Sequence, residues 1–325
     1  MKKNKIILTG GAGFIGSVLL KFLNNIGIEE IIIVDHLDTS EKWKNLRNKI
    51  FEDYIDKKDF LELLDKNKID NIRAIIHLGA CSSTIEKDSN YLIHNNYKYS
   101  KKLCSFALYN NIRFIYASSA ATYGDGSMGF KDDIKLLPFL KPLNIYGFSK
   151  HLFDLWLYKN KLFNRVVGLK FFNVYGPNEY HKGEMRSVVN KAYLQIKKEK
   201  KIKLFKSYKK EYKDGEQKRD FIYVKDVAKV ILFFLENIEK NGLFNVGTSQ
   251  ARSWNELAKV IFETLNIPIN IEYIDMPEDI KKNYQYFTQA NINKLREAGY
   301  IDEFTPIEEG VKEYINNYLE KKEYI

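Results

Sequence analysis

Short apolar runs alternate with segments of helical periodicity along the chain up to residue 171. Residues 5–9 and 31–34 are nearly uninterrupted aliphatic runs, which is typical of buried parallel strands. Between them, apolar side chains recur every three or four positions, which predicts a helix with one buried face. The same alternation continues, with predicted strands near 51–54, 74–77, 113–117 and 166–171 and predicted helices near 57–64, 91–109 and 146–158. We therefore predict an α/β fold with a doubly wound, parallel sheet of the Rossmann type.

Beyond residue 172 this rhythm breaks. Residues 200–218 combine a short strand with a charged loop, and 221–224 with 227–235 read as one more strand and helix. Helical periodicity returns at 185–198, 253–265, 289–298 and 307–319. This change predicts a smaller, discontinuous C-terminal α/β domain that holds the substrate. The predicted ranges are 1–172 with about 220–247 for the dinucleotide-binding domain, and 173–219 with 248–325 for the substrate-binding domain.

The first predicted strand leads into a glycine-rich turn and then into the first predicted helix. Gly10 can adopt the backbone shape of the turn, and Gly13 lets a pyrophosphate approach the helix N-terminus, which favours negative charge. Gly16 allows the helix to pack closely on the strand. Asp35 ends the second strand, at the position where a carboxylate binds a ribose. The spacing predicts a dinucleotide-binding site.

Charge and composition narrow the possible partners. The net charge of +10 comes mostly from lysines that are spread along the chain, so we expect attraction for anionic ligands such as nucleotide diphosphates and no nucleic-acid partner. Two cysteines, Cys81 and Cys104, suggest no disulfide framework and fit a reducing cytoplasm. With five scattered histidines, they show no metal-ligand spacing. No apolar run approaches the length of a membrane span, so we expect no membrane insertion and a cytoplasmic location.

A candidate base lies on the helix predicted near 146–158. Tyr146 precedes Lys150 by four positions, so both side chains face the same way on a helix. A free tyrosine has a pKa of about 10, which is high for a base at neutral pH. A neighbouring ammonium and an oxidised nicotinamide would stabilise the phenolate and lower that pKa. The pair could then remove a proton from an alcohol while hydride leaves for a cofactor.

The surroundings of this pair distinguish it from others with the same spacing. About three such pairs are expected by chance in a chain so rich in tyrosine and lysine, and the spacing also occurs at Tyr54/Lys58, Tyr97/Lys101 and Tyr193/Lys197. Of these, only Tyr146/Lys150 follows a predicted strand that ends in a hydroxyl pair, Ser118-Ser119. It also follows Asn144, a residue that favours helix starts. We therefore predict that Tyr146 and Lys150 are functional.

Taken together, the glycine turn, Ser119 and Tyr146 with Lys150 resemble the extended short-chain dehydrogenases/reductases, the class of nucleotide-sugar epimerases and dehydratases. Residues 171–177 and 219–224 resemble the same class. A narrower resemblance, to the ADP-L-glycero-D-manno-heptose 6-epimerase family, extends nearly from end to end. It is carried by residues 79–84, 95–101, 117–124, 141–144, 181–183 and 284–290.

The resemblance implies an isomerase that inverts C6 of the heptose in ADP-D-glycero-β-D-manno-heptose, for the inner core of lipopolysaccharide. It implies transient oxidation at C6, with the hydride returned to the opposite face by the same nicotinamide. Tyr146 and Lys182 would be the two bases, Ser119 would hydrogen-bond the reacting oxygen, and Lys150 would anchor the nicotinamide ribose. It also implies a homo-oligomer and a small-molecule partner, the ADP-heptose.

The same resemblance assigns residues to the two ligands. The cofactor would lie against Gly10, Gly13, Phe14, Ile15, Gly16, Asp35, His36, Lys42, Lys57, Leu78, Gly79, Ala80, Cys81, Ser82, Asn95, Tyr146, Lys150, Val174 and Lys182. The substrate would lie against Ser119, Asn173, Glu184, Lys191, Phe205, Lys206, Ser207, Tyr208, Arg219 and Tyr284. No metal is expected. Glu184 stands where the family usually carries a serine, and the loop at 209–218 is longer than usual.

The choice of cofactor and substrate stays open at the level of residue chemistry. Asp35 can accept from a ribose 2′-hydroxyl, which favours NAD, whereas Lys42 and Lys57 could neutralise the 2′-phosphate of NADP. We follow the resemblance and expect NADP, with NAD as the alternative. A UDP-hexose 4-epimerase remains the alternative activity, because fold and cofactor motif do not fix the substrate.

Two other functions fit the sequence less well. A 4,6-dehydratase of this class carries an acidic pair after the catalytic hydroxyl residue, and this chain has Ala120 and Ala121 there. A cofactor-sensing binding protein on the same fold would not need a tyrosine base. The presence of Ser119, Tyr146 and Lys150 therefore argues for catalysis.

Overall fold

The computed structural model describes residues 4–66, 68–281 and 284–325, apart from the side chains of residues 279 and 280. The predicted domain ranges also include residues 1–3, 67, 282 and 283, which lie outside the described residues. The described strands are β1 (Lys5–Thr9), β2 (Ile31–Asp35), β3 (Asp53–Asp56), β4 (Ile72–His77), β5 (Arg113–Ser119), β6 (Val167–Phe171), β7 (Asn173–Tyr175), β8 (Ile202–Phe205), β9 (Lys218–Tyr223), β10 (Gly242–Val246), β11 (Ala251–Ser253) and β12 (Ile271–Ile274).

The helices follow the same alternation in the first half of the chain. They are α1 (Phe14–Asn25), α2 (Lys57–Asp65), α3 (Ser89–Leu92), α4 (Tyr99–Tyr109), α5 (Ile145–Lys159), α6 (Val188–Glu199), α7 (Val224–Glu236), α8 (Trp254–Thr264), α9 (Glu278–Lys281), α10 (Asn293–Glu297) and α11 (Ile307–Glu313). A π-helical turn, Ile93–Lys98, joins α3 to α4, and a second one, Tyr314–Leu319, continues α11. The predicted helices at 91–109 and 307–319 therefore agree closely with the structure.

The central sheet has seven parallel strands in the order β10-β6-β5-β4-β1-β2-β3. This order confirms the predicted doubly wound sheet. The direction of winding reverses between β1 and β4, and ligands of such sheets bind outside the carboxyl ends of the strands at that point. The glycine turn after β1 and the segment after β4 therefore open into the same crevice.

Several predicted elements differ from the observed ones. The third strand is Asp53–Asp56, two residues later than predicted, and the seventh strand, β10, was not predicted as a strand. A polar residue, Asn245, interrupts the apolar run of β10. The helix predicted at 289–298 covers only Asn293–Glu297, because the segment before it bonds across the fold. There the Ala290 N–H donates to the buried carboxylate of Asp220 (2.9 Å).

Two smaller sheets lie outside the central one. β9 pairs with β7 in parallel and with β11 antiparallel, and β8 pairs with β12 in parallel. The predicted strand at 221–224 thus belongs to the three-stranded sheet as part of β9, and not to the central sheet. We propose that these sheets and α8 form the substrate-binding part of the chain, with β9 crossing the boundary predicted near residue 220.

Two kinds of feature are absent from the part of the chain that the structure describes. No helix there is long and apolar enough to cross a lipid bilayer. No group of three or more His, Cys, Asp or Glu side chains there is arranged to hold a metal ion.

Candidate active site

The glycine turn between β1 and α1 is shaped so that larger residues do not fit. Gly10 has a φ of +70°, and a Cβ on it would lie 2.6 Å from the backbone nitrogen of Gly79. A Cβ on Gly16 would lie 2.1 Å from the carbonyl oxygen of Gly10. Helix α1 begins after Gly13 with no side-chain cap, so the N–H groups of its first turn remain open to an anion. This cradle fits the pyrophosphate of a dinucleotide.

Asp35, at the end of β2, is fixed against the glycine turn. Its carboxylate accepts hydrogen bonds from the backbone N–H groups of Ala12 (2.9 Å) and His36 (2.7 Å). The Lys42 ammonium donates to the same carboxylate at 2.7 Å. The acid predicted to bind a ribose thus lies beside one of the two lysines predicted to bind a phosphate.

A smaller cavity of about 140 Å³ extends from this acid. His36, Lys42, Lys57 and Asn95 line it, and the Lys57 Nζ atom donates to Asn95 Oδ1 (2.8 Å). Burial, and next to it the positive charge of Lys42, lower the pKa of Lys57. Two ammonium groups that repel each other in one pocket favour binding of an anionic group between them.

The main cavity has a volume of about 630 Å³. It brings together every predicted cofactor residue except His36, Lys57 and Asn95, which line the smaller cavity. The residues concerned are Gly10, Gly13, Phe14, Ile15, Gly16, Asp35, Lys42, Leu78, Gly79, Ala80, Cys81, Ser82, Tyr146, Lys150, Val174 and Lys182. The cavity also contains Ser119 and Asn173, two of the predicted substrate residues.

The predicted catalytic triplet forms one wall of the main cavity. Asn144 caps α5 by accepting from the Gly147 N–H (2.7 Å), which starts the helix just before Tyr146. A Cβ on Gly147 would lie 2.7 Å from the Ala121 carbonyl oxygen, so a glycine lets α5 approach the turn that follows Ser119. Ser119 and Tyr146 line the same wall, and Ser119 lies near enough to influence the pKa of Tyr146.

Burial is the main influence on the pKa values in this wall. It raises the pKa of Tyr146, and the interaction with Ser119 opposes this rise. The Lys150 ammonium donates to the Ala117 carbonyl (2.9 Å), and burial lowers the pKa of Lys150 to about 8. Burial of the phenol thus acts against formation of the phenolate, which a base at this position requires.

Lys182 also lines the main cavity, although it comes from a segment that follows the central strands β1 to β6 in the chain. It lies in a 3₁₀ turn, Tyr180–Met185, with its Nζ atom 5.4 Å from the ring centroid of Phe14. Burial lowers the pKa of Lys182, and the buried carboxylate of Glu179 opposes this shift. Glu179 is itself held by the Ser187 hydroxyl (2.6 Å). A buried lysine of this kind gives up its proton more readily than a solvated one.

A buried histidine ties the glycine turn to the end of β4. The His77 ring nitrogens bond Thr9 Oγ1 (2.6 Å) and Ser100 Oγ (2.8 Å), and Thr9 Oγ1 accepts from the Gly79 N–H (3.1 Å). Ser100 donates to the Asn96 carbonyl (2.5 Å), so it accepts from His77 Nε2. Burial lowers the pKa of His77 to about 3. The neutral ring therefore holds two cofactor-facing segments together.

Asn96 connects the same region to the catalytic helix. Its side chain exchanges two hydrogen bonds with the backbone of Cys81, each 2.9 Å long. It also donates to Ser149 Oγ (3.0 Å), which donates to the Tyr146 carbonyl (2.7 Å). Asn96 lies in the π-helical turn Ile93–Lys98, and such turns occur often at functional sites.

The residues predicted for the nucleotide end of the substrate form a separate cluster. The Arg219 guanidinium lies 5.5 Å from the Trp254 ring and 5.2 Å from the Tyr284 ring, with Phe205 packed on Tyr284. Arg219 is buried and, within the described ranges, makes no ion pair with a carboxylate. Phe221 lines the main cavity and packs on Trp254 at 5.3 Å. The cluster therefore adjoins the main cavity.

The remaining predicted substrate residues do not line either cavity. Lys191 donates to the Glu184 carbonyl (2.8 Å), and the Glu184 side chain is 84% exposed. Lys206 and Tyr208 both bond Asp275, and the backbone of Ser207 bonds Asp214. These contacts leave Glu184 facing solvent in this structure, whereas the 205–208 segment lies next to the Arg219 cluster.

Sequence reasoning missed several residues of the cavity. The main cavity is also lined by Ser83, Ala117, Ser118, Phe171, Phe172, Tyr175, His181, Met185, Arg186, Ser187, Val188, Val189 and Phe221. Asn96 carried one usable signal, because asparagine is a weak helix former and two of them interrupt a long predicted helix. Glu179 and His77 carried no such signal in the sequence, because the hydrogen bonds that fix them come from residues far away in the chain.

Comparison with known proteins agrees with this geometry. The family model described as the NAD dependent epimerase/dehydratase family matches residues 6–247. The chain belongs to this family, as the seven-stranded sheet, the glycine turn and the Tyr146/Lys150 wall indicate.

More specific similarity is found among individual proteins. The chain is 52% identical over 314 residues to the ADP-L-glycero-D-manno-heptose-6-epimerase of Nitratidesulfovibrio vulgaris strain DP4, covering 96% of this chain and 97% of the relative. The crystal structure of the Helicobacter pylori ADP-L-glycero-D-manno-heptose-6-epimerase has a TM-score of 0.78 at 29% identity, covering 97% and 96% of the two chains. A UDP-N-acetylglucosamine 4-epimerase from Methanobrevibacter ruminantium M1 has a TM-score of 0.81 at 27% identity, covering 99% and 100%. The resemblance stated from the sequence is confirmed.

Proposed function

We propose that this protein inverts C6 of the heptose in ADP-D-glycero-β-D-manno-heptose, for synthesis of the lipopolysaccharide inner core. The observation that carries the proposal is the meeting of Ser119, Tyr146, Lys150 and Lys182 in the cavity of the glycine turn. The relative with 52% identity over nearly its full length supports the choice of substrate.

Each of the four side chains can serve one step of an oxidation at C6 that is then reversed on the opposite face of the resulting ketone. A nicotinamide dinucleotide held at the glycine turn would supply reversible hydride transfer with C6. Tyr146 accepts the proton of the C6 hydroxyl, Ser119 donates a hydrogen bond to the reacting oxygen, and Lys150 stabilises the phenolate. Once the C6 ketone presents its opposite face, Lys182 supplies the proton that restores the hydroxyl group.

The buried cation of Arg219 supports a diphosphate-linked substrate. A guanidinium offers paired donors that match phosphate oxygens. Its position between the Trp254 and Tyr284 rings leaves it without a carboxylate in the described chain. Aromatic side chains beside it suit an adenosine. We place the ADP half of the substrate here, with the heptose extending past Phe221 into the main cavity.

The proposed function is tested with substrate deuterated at C6. We expect ADP-D-glycero-β-D-manno-heptose to yield product with inverted C6 that retains the deuterium, because hydride leaves and returns within one active site. Proton and deuterium NMR of the product measure both configuration and label. UDP-glucose serves as the matched control and should remain unchanged. Inversion of C4 in UDP-glucose, with no change in the ADP-heptose, would favour the alternative 4-epimerase activity.

For the cofactor, we infer that NADP binds in preference to NAD. Lys42 and Lys57 converge on the smaller cavity next to Asp35. A 2′-phosphate between them would relieve the repulsion that lowers the pKa of Lys57. Asp35 already shares its carboxylate with Lys42 and two backbone N–H groups, so it is less available to a ribose hydroxyl than an isolated acid.

This inference predicts the effect of a single substitution. Lys57→Met should weaken NADP binding about tenfold to hundredfold, the usual range for loss of a charge-assisted hydrogen bond, and should leave NAD binding unchanged. Isothermal titration of both cofactors measures the difference, with Lys58→Met as the control for a neighbouring lysine. Mass spectrometry of the nucleotide released by denaturing the purified protein gives an independent result. Released NAD, with equal losses for both cofactors in Lys57→Met, would contradict the preference.

We also propose that the protein is a cytoplasmic homo-oligomer. Two cysteines that form no disulfide support this location. The assembly follows from the resemblance to a family of homo-oligomers.

A further inference from the structure

A fully buried ion pair lies beneath the turn that carries Ser119. Asp154 on α5 and Lys170 on β6 have side chains that are 0% and 1% exposed, and the Lys170 Nζ atom lies 3.0 Å from Asp154 Oδ2. Removing two charges from water is costly, and replacement by apolar side chains is often neutral or stabilising. A contribution to stability is therefore a weak explanation for the presence of this pair. The other hydrogen bonds of Asp154 and Lys170 show which residues the pair fixes in place.

Each member of the pair binds a residue that flanks Ser119. Asp154 accepts from Ser118 Oγ at 2.8 Å, which fixes the residue before Ser119. Lys170 donates to Thr122 Oγ1 at 2.5 Å, and Thr122 Oγ1 donates to the Ser119 carbonyl at 2.7 Å. The pair therefore holds the chain on both sides of Ser119, at the end of β5.

Asp154 is also placed to act on Lys150. The two residues are four positions apart on α5, so their side chains lie on the same helical face. The Tyr116 hydroxyl donates to the second oxygen of Asp154 at 2.7 Å, which leaves the carboxylate fully bonded and fixed. Burial lowers the pKa of Lys150, and the charge of Asp154 opposes that shift.

We propose that Asp154 and Lys170 are positioning residues that hold Ser119 in the cavity wall beside Tyr146 and place a carboxylate one helical turn from Lys150. Neither side chain lines the main cavity, so both act through Ser118, Thr122 and Lys150. This inference rests on the proposed function, because Ser119 and Lys150 act in the proposed reaction. It assigns to the pair a role in the geometry and charge of the site.

The test replaces both charges at once. The double variant Asp154→Leu/Lys170→Met replaces both buried charges with apolar side chains and leaves neither charge of the pair without its partner, so we expect it to fold. We expect NADP affinity within about threefold of wild type, because the cofactor cradle is untouched. We expect kcat to fall about tenfold to hundredfold with little change in KM, the pattern of an interaction needed mainly in the transition state. The alkaline limb of the pH profile of kcat should move to lower pH. The reason is that Lys150 loses a nearby carboxylate that raises its pKa.

Two further variants separate positioning from general stability. Thr122→Val removes only the link from Lys170 to the Ser119 carbonyl and should also lower kcat, even if the double variant fails to fold. The control variant Lys225→Met/Glu313→Leu removes a different ion pair, in which the lysine side chain is 22% exposed and the glutamate side chain 34%. It should leave kcat and its pH profile unchanged. Wild-type kcat in Thr122→Val, or an unmoved pH profile in the folded double variant, would overturn the proposal.

A crystal structure of the double variant gives a readout that does not depend on activity. We expect the Ser119 hydroxyl to move away from Tyr146 in the double variant, and an undisplaced Ser119 would argue against positioning. Failure of the wild-type protein to convert ADP-heptose would instead contradict the proposed function, and the position of Ser119 would still decide the role of the pair. If Asp154→Leu/Lys170→Met does not crystallise, Thr122→Val provides the same measurement.

Discussion

Tyr146→Phe is expected to lower the turnover of ADP-D-glycero-β-D-manno-heptose by about a hundredfold to ten-thousandfold, the range that a positioned proton-transfer group contributes. The substitution removes one hydroxyl and leaves the ring in the wall of the main cavity. The lost hydroxyl is the group whose pKa Ser119 influences. No other phenol described in the main cavity has a lysine one helical turn away. Initial rates, read from the C6 configuration of the product by NMR, measure the effect.

A second tyrosine provides the matched control for this prediction. Tyr97 has the same spacing to Lys101, but the Lys101 Nζ atom lies 5.7 Å from the Tyr97 ring and 5.5 Å from the Trp156 ring. Neither Tyr97 nor Lys101 lines a cavity described above. Tyr97→Phe should therefore keep wild-type turnover, and both variants should bind NADP normally. Turnover by Tyr146→Phe within about threefold of wild type would remove Tyr146 from proton transfer.

Lys182→Met is expected to lower turnover by about a hundredfold while NADP still binds. The apolar stem of Met can occupy the place beside Phe14, where the Lys182 ammonium lies 5.4 Å from the ring centroid. The proton donor on the second face of the ketone is then lost. The upward influence of Glu179 on the pKa of Lys182 is smaller than the lowering by burial, so wild-type Lys182 gives up its proton more readily than a solvated lysine does. Steady-state rates and cofactor titration together separate these effects.

An exposed lysine gives the control for this second prediction. Lys197 on α6 pairs with Glu320 at 2.9 Å, and its side chain is 44% exposed. Lys197→Met changes the net charge by the same amount and should not alter turnover. If Lys182→Met and Lys197→Met had equal rates, Lys182 would have no place in the mechanism. Loss of NADP binding in Lys182→Met would assign the lysine to the cofactor and not to proton transfer.

The cofactor half of the site could be predicted because its requirements are local. Gly10, Gly13 and Gly16 belong to one turn, and the close contacts of Gly10 and Gly16 follow from the backbone path from β1 into α1. Asp35 follows from the length of β2, which places the acid at the carboxyl edge of the sheet. Spacing along the chain is sufficient to predict a binding site wherever its residues lie in the same turn or at the ends of neighbouring strands.

The effect of burial on the pKa values of the site could not be predicted from residue spacing. The spacing of Tyr146 and Lys150 indicated an ammonium near the phenol, but not the burial that raises the pKa of Tyr146. Burial depends on how α5 packs against the turn after Ser119, which a close approach at Gly147 makes possible. The helix predicted at 289–298 was too long for a related reason. Ala290, near its predicted start, bonds Asp220, a partner 70 positions away.

The sequence by itself determined the doubly wound sheet, the dinucleotide cradle and the pair Tyr146/Lys150, because periodicity and short-range spacing control strands, helices and turns. Only the tertiary structure decided that Lys182 shares a cavity with that pair, that Glu184 faces solvent, and that Asp154 and Lys170 lie buried below Ser119. These features depend on contacts between distant segments and on the loss of water around each charge. Neither quantity is encoded in the spacing of residues along one segment.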